Sequence, residues 1–203
     1  GIKKKFPGTL ALNNVDFNVF KGKIHALVGE NGAGKSTLIK ILSGVYAPTA
    51  GKLFYNNSSI KFNTPKEAIK KGIITIHQEF SLAPTLSAPE NIFLGQYPMT
   101  SIGSINKAKL MSRTKELFSR LGIEINLKVP VSELSVAKQQ MVEIAKALSK
   151  EAEVLILDEP TAVLDRENTK KLFKELSNDE LTKNHSKNVI LIKLSLKPES
   201  KFC

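Results

Sequence analysis

Cysteine, arginine and long apolar runs are all scarce in this chain of 203 residues. The one cysteine, Cys203, stands at the last position, which excludes an internal disulfide framework and permits a reducing compartment. No apolar run approaches the roughly 18 residues of a membrane-spanning helix. No apolar stretch follows the lysines at positions 3–5, so we expect no signal peptide there. These absences argue against a secreted disulfide scaffold and against a membrane-spanning protein.

Positive charge is the most conspicuous feature of the composition. The chain has 30 basic and 19 acidic residues and a formal net charge of +11, which first suggests nucleic acid or an anionic membrane as a partner. Proteins that read bases or clamp phosphates favour arginine, but Arg113, Arg120 and Arg166 are the only arginines here. The scattered lysines therefore predict a solvated basic surface, and we expect no nucleic-acid partner.

Strand-like and helix-like segments alternate along the chain and predict an α/β fold whose sheet has parallel character. The predicted strands cover residues 15–19, 24–28, 52–55, 60–62, 73–76, 154–157 and 189–194. The predicted helices cover residues 36–43, 64–72, 91–94, 107–121, 135–148 and 167–181. Thr64 and Glu67 have the spacing of a capping box. The close strands of the first hundred residues predict a smaller antiparallel part, and the helical stretch at about 84–150 predicts a subdomain inserted into the sheet.

A glycine-rich loop at residues 29–37 matches the phosphate-binding pattern G-x-x-x-x-G-K-[ST] between a strand and a helix. Glycines let the backbone N–H groups turn toward phosphate oxygens, and the helix adds the positive end of its dipole. Lys35 is expected to reach the β- and γ-phosphates and Ser36 to bind Mg²⁺. The predicted nucleotide-binding residues of the loop are Gly29, Asn31, Gly32, Ala33, Gly34, Lys35, Ser36 and Thr37.

Two further segments carry candidate chemistry. The apolar run 154–157 ends in Asp158 and Glu159, which suit a Mg²⁺ ligand and a general base for the attacking water. A solvated acidic turn is the alternative for this pair. Ser135 opens a helix whose free N–H groups could hold a phosphate, although a plain capped amphipathic helix explains the same pattern.

The order of these motifs resembles that of the ATP-binding cassette (ABC) ATPases, which are P-loop NTPases with a mixed sheet and an inserted helical subdomain. The match consists of the phosphate loop, Leu134-Ser135 with Gln139, and the run ending in Asp158-Glu159. Gln78 stands where the family has its Q-loop glutamine, and Phe6 stands where the family stacks an aromatic ring on adenine. The resemblance implies ATP and Mg²⁺ as cofactors, with Glu159, Gln78 and Lys35 as catalytic residues and Ser36, Gln78 and Asp158 at the metal.

The segments at 41–46, 90–95 and 140–148 are similar to the first of the two tandem cassettes of bacterial monosaccharide importers of the ribose, galactose and xylose type. This implies one cassette domain over residues 1–203, on the cytoplasmic face of the membrane. The implied partners are a second cassette, permease subunits and, indirectly, a sugar-binding protein. Ser135 would then contact the nucleotide of the partner cassette. The resemblance thus implies that ATP binding and hydrolysis power sugar import.

The C-terminal part departs from the family pattern. No histidine follows the predicted strand at 189–194, where the family has its switch histidine, and the tail at 193–203 matches nothing in the family. We therefore expect an end that is truncated or altered by a frame shift. Two other functions stay open: a non-transport ATPase that acts on nucleic acid or ribosomes, and a fragment that binds ATP without turnover.

Overall fold

The computed structural model describes residues 1–77, 81–150 and 152–158, and the backbone of residues 189–195. The strands within these residues are β1 (Ile2–Phe6), β2 (Thr9–Val15), β3 (Ile24–Gly29), β4 (Leu53–Tyr55), β5 (Ser58–Ile60), β6 (Ile73–Ile76), β7 (Val154–Asp158) and β8 (Val189–Ser195). The helices are α1 (Lys35–Leu42), α2 (Pro65–Lys70), α3 (Ala88–Ile92), α4 (Lys107–Arg120) and α5 (Val136–Leu148), with one 3-10 turn at Val131–Glu133.

The described residues form two compact units. The first contains residues 1–75, 153–158 and 189–195, and the second contains residues 76–77, 81–150 and 152. All three helices of the predicted helical subdomain, α3 to α5, lie in the second unit. Its boundaries and its insertion into a single cassette domain stay a prediction. The predicted helix at 167–181 lies outside the described residues.

A four-stranded sheet with the order β3-β8-β7-β6 dominates the first unit. Strand β8 pairs in parallel with both β3 and β7, and its Lys193 lies level with Leu27 on one side and with Asp158 on the other. The apolar sequence of β7 explains its position inside the sheet, because Leu155, Ile156 and Leu157 are at most 2% exposed. Helix α1 covers this sheet through Ile39, which shares an apolar cluster with Ile156. The predicted α/β fold with a parallel sheet is confirmed.

Two antiparallel hairpins complete the first unit, as the closely spaced strands predicted. Strand β1 pairs with β2, and β4 pairs with β5. Asn56 and Asn57 form the β4–β5 turn with φ of 48° and 60°, a left-handed conformation that asparagine tolerates better than most residues. Next to this turn, the Tyr55 hydroxyl donates a hydrogen bond to the Glu153 carboxylate, which anchors the hairpin beside β7.

The predicted strand at 15–19 is wrong. Strand β2 ends at Val15, whose partner is Ile2 at the beginning of β1, so the ladder has no further partner residues to offer. The Asp16 carboxylate instead accepts a hydrogen bond from the backbone nitrogen of Gly1. Phe17 and Val19 alternate like strand residues but are 39% and 38% exposed in an irregular segment.

Helices α3, α4 and α5 of the second unit share an apolar core. Its members are more than nine-tenths buried and include Ile92, Leu110, Phe118 and Val142. The predicted helix at 107–121 corresponds to α4, whose N-terminus is capped by the Asn106 side chain. Among the described residues, no helix is both long enough and apolar enough to cross a membrane.

Capping differs from the predicted pattern at one helix. Thr64 precedes α2, but its side chain makes no cap hydrogen bond, and Glu67 accepts from the Asn63 N–H at 2.9 Å instead. The capping box expected there is therefore absent. A capping box occurs at α3, where Glu90 accepts from the N–H of Ser87 at 2.8 Å and also from its hydroxyl.

Candidate phosphate-binding site

The loop between β3 and α1 has the geometry that its sequence predicted. Strand β3 ends at Gly29, and α1 begins at Lys35 without a hydrogen bond from a capping side chain. The first N–H groups of a helix have no partner within the helix, so those of α1 are suited to bind an anion. No acidic residue lies in the first turn of α1, and the positive end of the helix dipole is therefore not neutralised locally.

The two glycines with positive φ in the loop have different surroundings. Gly32 has φ of 85°, and a Cβ atom there would meet no other atom within 4 Å. Gly34 has φ of 86°, and its Cβ would lie 2.5 Å from the carbonyl oxygen of Ala11. Gly32 thus leaves the open side of the loop free for a ligand, whereas Gly34 lets α1 pack closely against β2.

Lys35 is buried, with 7% of its surface exposed, and its ammonium group points back into the loop. It donates to the carbonyl oxygen of Gly29 at 2.6 Å and to that of Glu30 at 2.7 Å. Both acceptors are neutral, and a phosphate oxygen would form a stronger bond with the same charged donor. Lys35 therefore holds the loop in shape and supplies a positive charge for an anionic ligand.

Two of the three metal-binding residues predicted from the sequence, Ser36 and Asp158, lie within the described residues. Asp158 ends β7, and its register through β8 places it level with Leu27, two residues before the end of β3. Because β8 lies between β7 and β3, two interstrand spacings of about 4.8 Å each separate Asp158 from Leu27. Ser36 is exposed in the first turn of α1. A hydroxyl and a carboxylate are hard oxygen ligands of the kind that Mg²⁺ prefers, so this pair fits the expected metal.

The other loop residues occupy positions consistent with ligand contact. Asn31 and Ala33 are exposed in the loop itself, and the N–H of Ala33 donates to the carbonyl oxygen of Glu30 at 3.2 Å. Thr37 is half-buried in the first turn of α1. Phe6 is half-buried at the end of β1, where its ring meets that of Tyr46 edge-to-face.

Ser135 lies in the second unit and caps α5, as its sequence predicted. Its hydroxyl accepts a hydrogen bond from the N–H of Lys138 at 3.4 Å, and its side chain is exposed. Helix α5 has no acidic residue in its first turn. An anion would therefore be favoured at this exposed helix end.

Two predicted site residues, Gln78 and Glu159, lie outside the described residues. The structure also shows polar contacts that the sequence analysis missed. Asn91 is completely buried and bonds the backbone of Ala83 through both its oxygen and its nitrogen. The Glu143 carboxylate accepts hydrogen bonds from both the N–H and the hydroxyl of Ser81. The local sequence carries no signal for the Glu143 contact, because its partner lies 62 positions away along the chain.

Comparisons with known proteins agree with this geometry. The ribose import ATP-binding protein of Streptomyces avermitilis is 49% identical over 85% of this chain and 33% of its own length. A putative ribose/galactose/methyl galactoside import ATP-binding protein of Burkholderia cenocepacia is 47% identical over 86% of this chain and 33% of its own length. The chain therefore spans about a third of the length of these curated relatives.

A solved dimeric structure of an ATP-binding cassette in a post-hydrolysis state with ADP and Pi matches with a TM-score of 0.73 and 27% identity, over 95% of this chain and 84% of the other. The sequence profile described as ABC transporter matches residues 12–162, which include the phosphate loop, Ser135 and Asp158. The motif order, the fold and these matches lead to one conclusion: the chain belongs to the ABC transporter family.

Proposed function

We propose that this chain is an ATP-binding and ATP-hydrolysing cassette that powers sugar import. The observation that supports this most strongly is the phosphate loop, in which buried Lys35 donates hydrogen bonds to the carbonyl oxygens of Gly29 and Glu30. Identity of 47–49% to sugar import ATP-binding proteins supports the transport role. Because the chain covers only a third of these relatives, the whole protein's activity is part of the proposal.

Different residues of the chain would bind the phosphates, the base and the metal of Mg²⁺-ATP. The loop residues 29–37 surround the phosphates, Lys35 neutralises the β- and γ-phosphates, and Phe6 stacks on adenine. Ser36 and Asp158 would hold Mg²⁺, which would supply positive charge beside the phosphate oxygens. Gln78 would contact the metal and the attacking water, and Glu159 would accept a proton from that water.

Turnover and transport would require partners. Ser135, exposed at the N-terminus of α5, would bind the nucleotide of a second cassette in a head-to-tail pair. A dimer is the state of the solved post-hydrolysis cassette. The permease subunits would place the cassette on the cytoplasmic face of the membrane, and a sugar-binding protein would deliver the sugar to the permease.

Nucleotide binding by the chain tests the first step of this function. We expect the wild-type chain to bind Mg²⁺-ATP in a calorimetric titration and Lys35→Ala to lose that binding. Lys115→Ala, which removes an exposed lysine of α4, is the charge-matched control and should bind like the wild type. Binding that survives Lys35→Ala would overturn the assigned role of the loop. Measured hydrolysis of ATP would distinguish the enzyme from a fragment that only binds.

A further inference from the structure

Four side chains of the first unit form a cluster beside the predicted adenine site: Lys4, Phe6, Lys40 and Tyr46. The rings of Phe6 and Tyr46 have centroids 5.4 Å apart and an interplanar angle of 73°. The Lys4 ammonium lies 5.1 Å from the Phe6 centroid and 5.5 Å from the Tyr46 centroid. Lys40 adds a second ammonium 5.5 Å from the Tyr46 centroid.

Backbone hydrogen bonds join β1 to the segment that follows α1. Lys3 donates its N–H to Ala50 at 2.9 Å and accepts the N–H of Thr49 at 2.8 Å. The Lys4 ammonium donates to the carbonyl oxygen of Ala47 at 2.8 Å. Lys4 therefore makes two kinds of contact at once, since it covers both rings and bonds the chain just beyond Tyr46.

Tyr46 is in turn fixed to the last turn of α1. Its N–H donates to the carbonyl oxygen of Lys40 at 2.9 Å, and the N–H of Val45 donates to the same oxygen at 2.8 Å. The eight residues of α1 span roughly 12 Å between this turn and the phosphate loop. One helix thus carries Lys35 and Ser36 at its N-terminus and supports Phe6, through Tyr46, near its C-terminus.

These contacts point to a role for Lys4 and Tyr46 in setting the orientation of Phe6. We propose that both are positioning residues that hold the Phe6 ring for a purine base at a fixed distance from the phosphate loop. Edge-to-face packing and an ammonium over the ring both restrict ring rotation. With Lys4 over one face of Phe6, the base would stack on the other face. This inference rests on the proposed function, because it assumes that ATP is the ligand.

Binding of ATP compared with inorganic triphosphate tests the proposal, since triphosphate lacks the base and ribose. The ratio of the two association constants, measured with Mg²⁺ by calorimetry, isolates the contribution of adenosine. We expect Tyr46→Leu and Lys4→Gln each to lower this ratio by about three- to tenfold, the factor that corresponds to an aromatic pair, while triphosphate binding is unchanged. Tyr46→Phe and Lys4→Arg should restore the ratio, because they keep the ring and the charge.

Lys5→Gln is the matched control, because Lys5 is an exposed lysine of β1 next to the half-buried Lys4. An unchanged ratio in Tyr46→Leu and Lys4→Gln, or equal losses for ATP and triphosphate, would overturn the positioning role. A wild-type chain that binds triphosphate as tightly as ATP would overturn it as well. A wild-type chain that binds neither ligand would instead refute the proposed function, and the inference with it.

Discussion

The Glu143 carboxylate accepts hydrogen bonds from both the N–H and the hydroxyl of Ser81, at 2.6 Å and 3.0 Å, across 62 positions of sequence. Lys146, one turn further along α5, donates to the carbonyl oxygen of Ser81 at 2.9 Å. Helix α5, which Ser135 caps, therefore holds the chain three residues after Gln78. A buried charged acceptor with two donors is one of the stronger polar contacts that a protein interior offers.

Removal of the Glu143 carboxylate should destabilise the second unit. We expect Glu143→Ala to lower the free energy of unfolding by about 2 kcal/mol, because the N–H of Ser81 loses its charged partner and a buried side chain is truncated. Urea unfolding monitored by circular dichroism measures the change. Glu116→Ala, at an exposed position of α4, should change stability by less than about 0.5 kcal/mol. Equal stability of the two variants would contradict the role assigned to the contact.

The two loop glycines should respond differently to a methyl group. Gly34→Ala combines left-handed strain with a contact of 2.5 Å to the Ala11 carbonyl oxygen, so its cost should exceed the roughly 1–2 kcal/mol of the strain alone. Gly32→Ala should cost only that strain, and its methyl group would occupy the open side of the loop and weaken Mg²⁺-ATP binding. Urea unfolding and calorimetric titration of both variants check this order. A Gly34→Ala chain as stable as Gly32→Ala would show that α1 can shift away from β2.

The capping box at α3 should make stability depend on pH. Hydrogen bonds from the Ser87 hydroxyl and N–H lower the pKa of Glu90 below its ordinary value of 4.5, and nearby Lys107 adds to the shift. The stabilisation is thus present above the unfolded-state pKa and is lost as pH falls through the lower folded-state pKa.

Glu90→Gln keeps a capping oxygen but cannot titrate, so it should remove this acid-dependent part of the stability. Thermal unfolding between pH 3 and pH 7 measures it, with an expected difference from wild type of about 0.5 kcal/mol at neutral pH and none at the acid end. Glu124→Gln, at an exposed position, is the matched control. A wild-type and a Glu90→Gln profile that stay parallel over the whole range would exclude Glu90 as the titrating group.

Glu159→Gln tests the proposed chemistry directly. The amide cannot accept a proton from water, so turnover should fall by at least about a hundredfold while Mg²⁺-ATP still binds. Steady-state phosphate release and equilibrium binding, measured on the same preparations, separate the two effects. Glu133→Gln, which removes an exposed carboxylate at the end of the 3-10 turn, should leave both quantities unchanged. If Glu159→Gln hydrolyses ATP at the wild-type rate, the base must be another group.

Local patterns in the sequence were sufficient to predict the phosphate loop, the Ser135 cap and strands β3, β7 and β8. In each case a short run of residues contains both the apolar pattern of the element and the residues that mark its boundaries. The same local reading failed at Thr64, because Glu67 turns to the N–H of Asn63, and at residues 15–19, because strand length depends on where the partner strand begins.

Contacts between distant parts of the chain could not be predicted from such patterns. Lys4 reaches Ala47 and Glu143 reaches Ser81 only after the fold has brought them together. A lysine in a strand and a glutamate in a helix both read as ordinary solvent-facing residues, because the sequence does not show which element will pack against them. The residues proposed to orient Phe6 were therefore found only in the structure.

The position of β8 also has a consequence for the order in which the protein folds. Strands β3 and β7 make no ladder with each other and meet only through β8, where Ile190 pairs with both Ile24 and Leu155. During synthesis the phosphate loop leaves the ribosome long before the strand that joins it to Asp158. Closing so long a loop is entropically costly and slow. The nucleotide and metal ligands of this cassette would thus come together late, as one of the last events of folding.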